Sequence, residues 1–191
     1  MIDKELIQSK MSNNLTGLFD VELTQDIILN GYLIKKYNNV NYIGLYNPEG
    51  KVMTVDAPDY IIEYAPELLD AEFNSILIGG LGIGVIPYVV QDFAEVDVIE
   101  NNQNIIDIVT QLNHLNENVN IIKGDIFTFT ATKTYDIIVL DIWYEALTEA
   151  LSNQLIEKYL PFVNEGGFLY IPINARSLDD KVKMIKSSSN Q

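Results

Sequence analysis

The stretch Ile76 to Gly84, I-L-I-G-G-L-G-I-G, breaks an apolar run abruptly into glycines, and it constrains the fold more tightly than any other part of the chain. The apolar half reads as a buried strand. Glycine loses the most backbone freedom on folding, so a cluster of glycines is kept where a chain turns sharply or lets something approach bare backbone. Val85 to Phe93 then resumes an apolar pattern that predicts a helix opening at the turn, with its unsatisfied N–H groups toward any ligand held there. Pro87 falls in the first turn, where a missing N–H is tolerated.

The same alternation continues downstream. Apolar strands are expected at Ser75 to Gly79, Glu95 to Glu100, Val119 to Lys123, Tyr135 to Asp141 and Gly167 to Ile173, separated by helix-length segments Gly84 to Phe93, Asn104 to Leu115 and Thr148 to Val163. Near-continuous apolar strands alternating with helices predict an α/β fold, a doubly wound Rossmann-like parallel sheet covered on both faces. Upstream the pattern differs. A weak helix is expected at Asp3 to Ser12, followed by strands at Thr24 to Leu29, Tyr32 to Tyr37, Val40 to Tyr46 and Lys51 to Asp56. Asn30-Gly31 between the first two is a strong hairpin signal, because both central positions of a type I′ turn need positive φ. This predicts an N-terminal helix and β-meander over residues 1–57 and a nucleoside-binding domain over 58–191, opened by a helix from Asp59, as its cap, through Tyr60 and Tyr64 to about Asp70.

Composition excludes several function classes. The 191 residues carry a net charge of −15, which repels a phosphate backbone and argues against a nucleic-acid partner. There is no cysteine and one histidine, His114, so zinc or thiolate chemistry is not expected. His114, in a polar segment ending the third helix, is expected at the surface. No apolar run approaches the ~20 residues that cross a bilayer, and the N-terminus lacks the look of a signal peptide, so a cytoplasmic, membrane-free protein is expected.

In open α/β sheets the ligand lies beyond the carboxyl ends of the strands, so strand ends are read together. They give Gly80, Gly82 and Gly84; Glu100, about 20 residues on, the distance at which a carboxylate reaches a ribose diol; Gly124-Asp125; Asp141, followed by Trp143 and Tyr144; and Asn174. Val85 stands where a dinucleotide fingerprint requires glycine, and no Gly-Lys-Ser/Thr is present. A phosphate-free nucleoside bearing a sulfonium cation suits G-x-G-x-G and the acidic chain better.

The glycine stretch, Val98-Ile99-Glu100, Gly124-Asp125 and Tyr135 to Asp141 resemble successive motifs of the class I S-adenosylmethionine-dependent methyltransferase superfamily. Together with the meander ending Gly50-Lys51-Val52-Met53-Thr54-Val55-Asp56, they look closest to the spermidine synthase-like group. The resemblance implies that Gly80, Gly82 and Gly84 approach the methionine-like part of the cofactor, S-adenosylmethionine or its decarboxylated form. It further implies that Glu100 binds the ribose, Asp125 accepts from the adenine amino group and Ile126 packs on the ring. Asp141 would orient the acceptor and take part in catalysis. The implied activity is transfer of a methyl or aminopropyl group to a small, cationic amine acceptor, the alternative being a non-catalytic member with an assembly or regulatory role. The tyrosine-rich meander is a candidate homodimer face.

The chain departs from spermidine synthases in four places, one of them Asp141-Ile142-Trp143-Tyr144-Glu145, which stands where that family continues D-x-x-D-P. Leu81, Gly82 and Ile83 replace an acidic position of the glycine loop. Asp59, Tyr60, Glu63 and Tyr64 stand in place of a tyrosine-histidine-glutamate cluster, with Tyr60 and Tyr64 at a spacing that otherwise reads as core. About eighteen residues follow Ile173, where that family adds an antiparallel strand pair, so the chain looks shortened there.

Overall fold

The structure, a computed structural model, describes residues 2–12, 17–19, 21–37, 41–64, 66–142, 148–172 and 181–185. Helix α1 (Lys4–Ser12) precedes four strands, β1 (Ile27–Leu29), β2 (Tyr32–Tyr37), β3 (Tyr42–Tyr46) and β4 (Val52–Val55), paired antiparallel in chain order. The expected hairpin is present: Asn30 and Gly31 have φ of 49° and 85°, and Leu29 pairs with Tyr32 across them. Ile34 opposite Leu45 places two fully buried side chains on the inner face.

Asp56 ends the meander and ties the segment 17–19 to it. Its carboxylate, 1% exposed, accepts from Ile43 N at 2.6 Å and Phe19 N at 3.3 Å, while its carbonyl accepts from Leu18 N at 2.8 Å. Burial pushes its pKa up to about 6, against the opposing pull of those donors and of Lys10.

The second sheet has six strands in the order β10-β9-β8-β5-β6-β7. β5 (Ser75–Gly79), β6 (Glu95–Glu100), β7 (Val119–Lys123), β8 (Tyr135–Leu140) and β9 (Val163–Pro172) run parallel, and β10 (Lys181–Ile185) is antiparallel to β9. The antiparallel edge strand extends the sheet beyond the five strands read from the sequence; Ile173 and Asn174 lie outside the described residues. The helices are α2 (Asp59–Tyr64), α3 (Val85–Val90), α4 (Gln103–Leu112) and α5 (Glu149–Tyr159). Two differences from expectation concern α2. Asp59 is its first residue rather than a flanking cap, and the helix stops at Tyr64, with a 3-10 turn at Pro66–Leu69, because proline has no N–H to continue an α-helical ladder.

Side chains alternate across the sheet. Ile76, Ile78, Val96, Val98, Ile137 and Val139 face a core shared with α3, α4 and the meander's Ile34, Ile43 and Leu45, so the two sheets are joined by one apolar interior. Leu77, Ile99, Ile138 and Leu140 face the other way, against Leu155 and Tyr159 of α5. β5 pairs with β6 on one side and with β8 on the other, which makes its carboxyl end the point where strand order reverses, the place where open α/β sheets hold their ligands. Among the described residues no helix is long and apolar enough to cross a membrane.

Candidate nucleoside and acceptor site

At the end of β5 the chain turns through Gly80, Gly82 and Gly84, with φ of 97°, 53° and 89°, left-handed values that side chains rarely adopt. Space is as restrictive as φ. A Cβ on Gly80 would lie 2.4 Å from the Asp141 carbonyl oxygen, one on Gly82 3.2 Å from Thr54 Cγ2, and one on Gly84 2.7 Å from His114 Nε2. The turn is therefore gripped by the end of β8, by the meander and by the end of α4. Gly84 N donates to Leu81 O at 2.8 Å, closing it.

Glu100, last in β6 and 9% exposed, stands beside the turn as the sequence predicts. One carboxylate oxygen accepts from Leu81 N at 3.0 Å, the other from Asn102 N at 2.7 Å. Each oxygen carries a second lone pair, so the group can hold the turn and accept a further donor. Asn102 caps α4 through Asn104 N and donates to the Tyr32 hydroxyl at 2.6 Å, while Asn30 donates to Asn104 Oδ1 at 2.7 Å. The β1–β2 hairpin thus docks on the start of α4 next to Glu100, a contact the sequence reading did not anticipate.

Asp125 follows β7 at the same edge. Its side chain is exposed and accepts from Phe127 N at 2.9 Å, and its carbonyl accepts from Phe129 N at 2.7 Å, a self-capped turn. Ile126 is 5% exposed and wedged against Gly79, where a Cβ would be 3.0 Å from its Cδ1. The Ile126 carbonyl accepts from the buried Tyr159 hydroxyl at 2.7 Å, and Phe127 O accepts from Lys158 at 2.7 Å, so α5 fixes this loop from beneath.

On the other side of β5, Asp141 emerges from β8 half-buried and accepts a hydrogen bond from the Tyr60 hydroxyl at 2.6 Å. The ring of Tyr60 packs against the core, as its helical spacing suggests, and its hydroxyl also reaches the strand-end carboxylate. The signal lay in position, since Tyr60 belongs to the polar-aromatic cluster just ahead of the glycine strand. Tyr170 of β9 is buried close by: burial, then the negative charges of Glu67 and Asp141, raise its phenol above the ordinary value. Trp143, Tyr144 and Asn174 lie outside the described residues. Among the described residues no group of three acidic or histidine side chains is arranged to hold a metal ion.

His114 is a correction. The ring is 8% exposed, 2.9 Å from Ile83 O through Nε2 and packed against Phe19 and Tyr88 with centroids 4.3 and 5.9 Å away. Burial lowers its pKa to about 4, although the Ile83 carbonyl pulls the other way. Polar neighbours in sequence made the segment look solvated, but its chain doubles back under α3.

No protein-family model and no curated protein matches the chain. Solved structures do. The N-methyltransferase NodS from Bradyrhizobium japonicum WM9 superposes with a TM-score of 0.50 at 17% identity, covering 59% of this chain and 64% of that one. Its complex with S-adenosyl-L-homocysteine also gives a TM-score of 0.50 at 17% identity, covering 59% and 58%. A DhpI-SAM-HEP complex gives 0.49 at 19% identity, covering 59% and 53%. The chain thus spans between 53% and 64% of the length of these structures. At this identity the likeness to NodS shows the fold alone: a Rossmann-like parallel sheet, here preceded by a four-stranded antiparallel sheet.

Proposed function

We propose that the chain is an S-adenosylmethionine-dependent methyltransferase acting on a small, amine-bearing acceptor. The observation that carries this reading is the meeting, where strand order reverses, of a glycine turn bonded to Glu100 with a separate carboxylate, Asp141, bonded to a phenol. The donor set suits the nucleoside. Glu100 retains acceptor capacity for a ribose diol, the turn offers backbone rather than bulk, and a net charge of −15 favours a sulfonium over a phosphate. Held at this site, S-adenosylmethionine would supply a sulfonium-activated methyl group, with a neutral thioether as the leaving group.

What remains for the chain is alignment and exclusion of water. Gly80, Gly82 and Gly84 admit the methionine part, Glu100 accepts from the ribose, Asp125 accepts from the adenine amino group and Ile126 flanks the ring. Asp141, oriented by Tyr60, holds an amine N–H and takes the proton that nitrogen sheds as it is alkylated. Fold likeness to an N-methyltransferase supports methyl transfer. A second reading, aminopropyl transfer from the decarboxylated cofactor, is favoured by the antiparallel sheet ahead of the core, on which the spermidine synthase-like resemblance rests.

Incubation with methyl-labelled S-adenosylmethionine, or the decarboxylated form, across amine, hydroxyl and carboxyl acceptors tests both. Transfer of label to an amine is expected, with Asp141→Asn lowering turnover by about 10² or more, the usual worth of a positioned acid–base group, while nucleoside affinity stays within about twofold. Nucleoside binding without turnover on any acceptor would instead favour the non-catalytic reading.

A further inference from the structure

The third glycine of the turn is filled from the protein side. Asn113, in the left-handed region at φ 51°, ends α4 and turns the chain back toward α3. Gln91, buried at the end of α3, then anchors the returning backbone, donating to His114 O at 3.3 Å and accepting from Asn116 N at 2.6 Å. This delivers the His114 ring between Phe19 and Tyr88 with Nε2 against Ile83 O. A carbonyl can only accept, so Nε2 carries the proton. Nδ1 then holds a lone pair, is buried, and has no hydrogen-bond partner among the described residues. An apolar ring would fill the hole without that desolvation penalty, so what the histidine adds at this position is the Nε2–H donor.

That bond fixes one peptide. The Ile83–Gly84 unit is held at its carbonyl by His114 and at its N–H by Leu81 O, while Leu81 N is held by Glu100. Gly84 has room for the ring because it lacks a Cβ.

We propose that His114 is a positioning residue for nucleoside binding, its Nε2–H bond to Ile83 O holding the glycine turn in the form that receives the ligand. The proposal rests on the nucleoside-binding reading above. His114→Gln keeps an N–H donor at a similar reach; His114→Phe fills the space without one, and His114→Met takes its place should the phenylalanine variant not fold. Calorimetry with S-adenosylmethionine is paired with amide hydrogen exchange at Gly84 and Val85 in the ligand-free protein. Leaving a buried carbonyl without its donor should weaken affinity and speed exchange about tenfold in His114→Phe, whereas His114→Gln stays within about threefold of wild type. Wild-type affinity and exchange in His114→Phe, or equal losses in both variants, overturns the proposal. Wild-type protein that binds no nucleoside refutes the binding reading, and the positioning role with it.

Discussion

Asp56 and His114 are buried titratable groups whose shifts oppose each other over nearly the same pH window. The Asp56 carboxyl rises from 3.8 to about 6, so its stabilising share is complete below pH 3.8 and is lost as pH rises through 6. His114 falls from 6.5 to about 4, so its share is complete above pH 6.5 and is lost as pH falls through 4. At about 1.4 kcal/mol per pH unit each effect is roughly 3 kcal/mol, and they cancel in the intact chain. Denaturant titrations should therefore give near-equal stability at pH 6.5 and pH 4 for wild type. Asp56→Asn should lose about 3 kcal/mol on acidification and His114→Phe should gain a similar amount; a wild-type slope unchanged in both variants contradicts the assignment. The glycine turn was legible from sequence, since glycines clustered after an apolar run mark a sharp turn that needs positive φ. His114 and Tyr60 were not: what each does depends on a partner 31 and 81 residues away.

At the scale of elements, strands β5 to β8 and the turn after β1 follow from apolar runs and from residues that accept positive φ, which is why they were readable. Docking was not readable. Nothing local in Asn102 indicates that it meets Tyr32, and β10 is too polar in pattern to announce an edge strand. The loop after β7 shows what docking contributes. Tyr159 of α5 donates to both Ile126 O at 2.7 Å and Phe129 O at 3.3 Å in a fully buried position. Tyr159→Phe keeps the ring and removes the donor, so unfolding free energy should fall by about 1–3 kcal/mol. Adenosine affinity should weaken with it, because Asp125 and Ile126 belong to the same loop. Unchanged stability by chemical denaturation would show that α5 covers the loop without holding it.

At the scale of the molecule, the meander and the parallel sheet share one apolar core, and the meander reaches the site twice, through Thr54 over Gly82 and through Tyr32 to Asn102 beside Glu100. The strand-end carboxylates are then divided by β5, with Glu100 and Asp125 on the side of β6 and β7 and Asp141 with Tyr60 on the side of β8. That division is the basis for separating cofactor from acceptor. On the proposed reading, the glycine turn and Glu100 receive a phosphate-free sulfonium nucleoside. Isothermal calorimetry of the wild-type chain with S-adenosylmethionine, S-adenosylhomocysteine and NAD tests it most directly. Saturable binding of both sulfur nucleosides and none of NAD is the expected result; binding of neither sulfur nucleoside, or a preference for NAD, would contradict it.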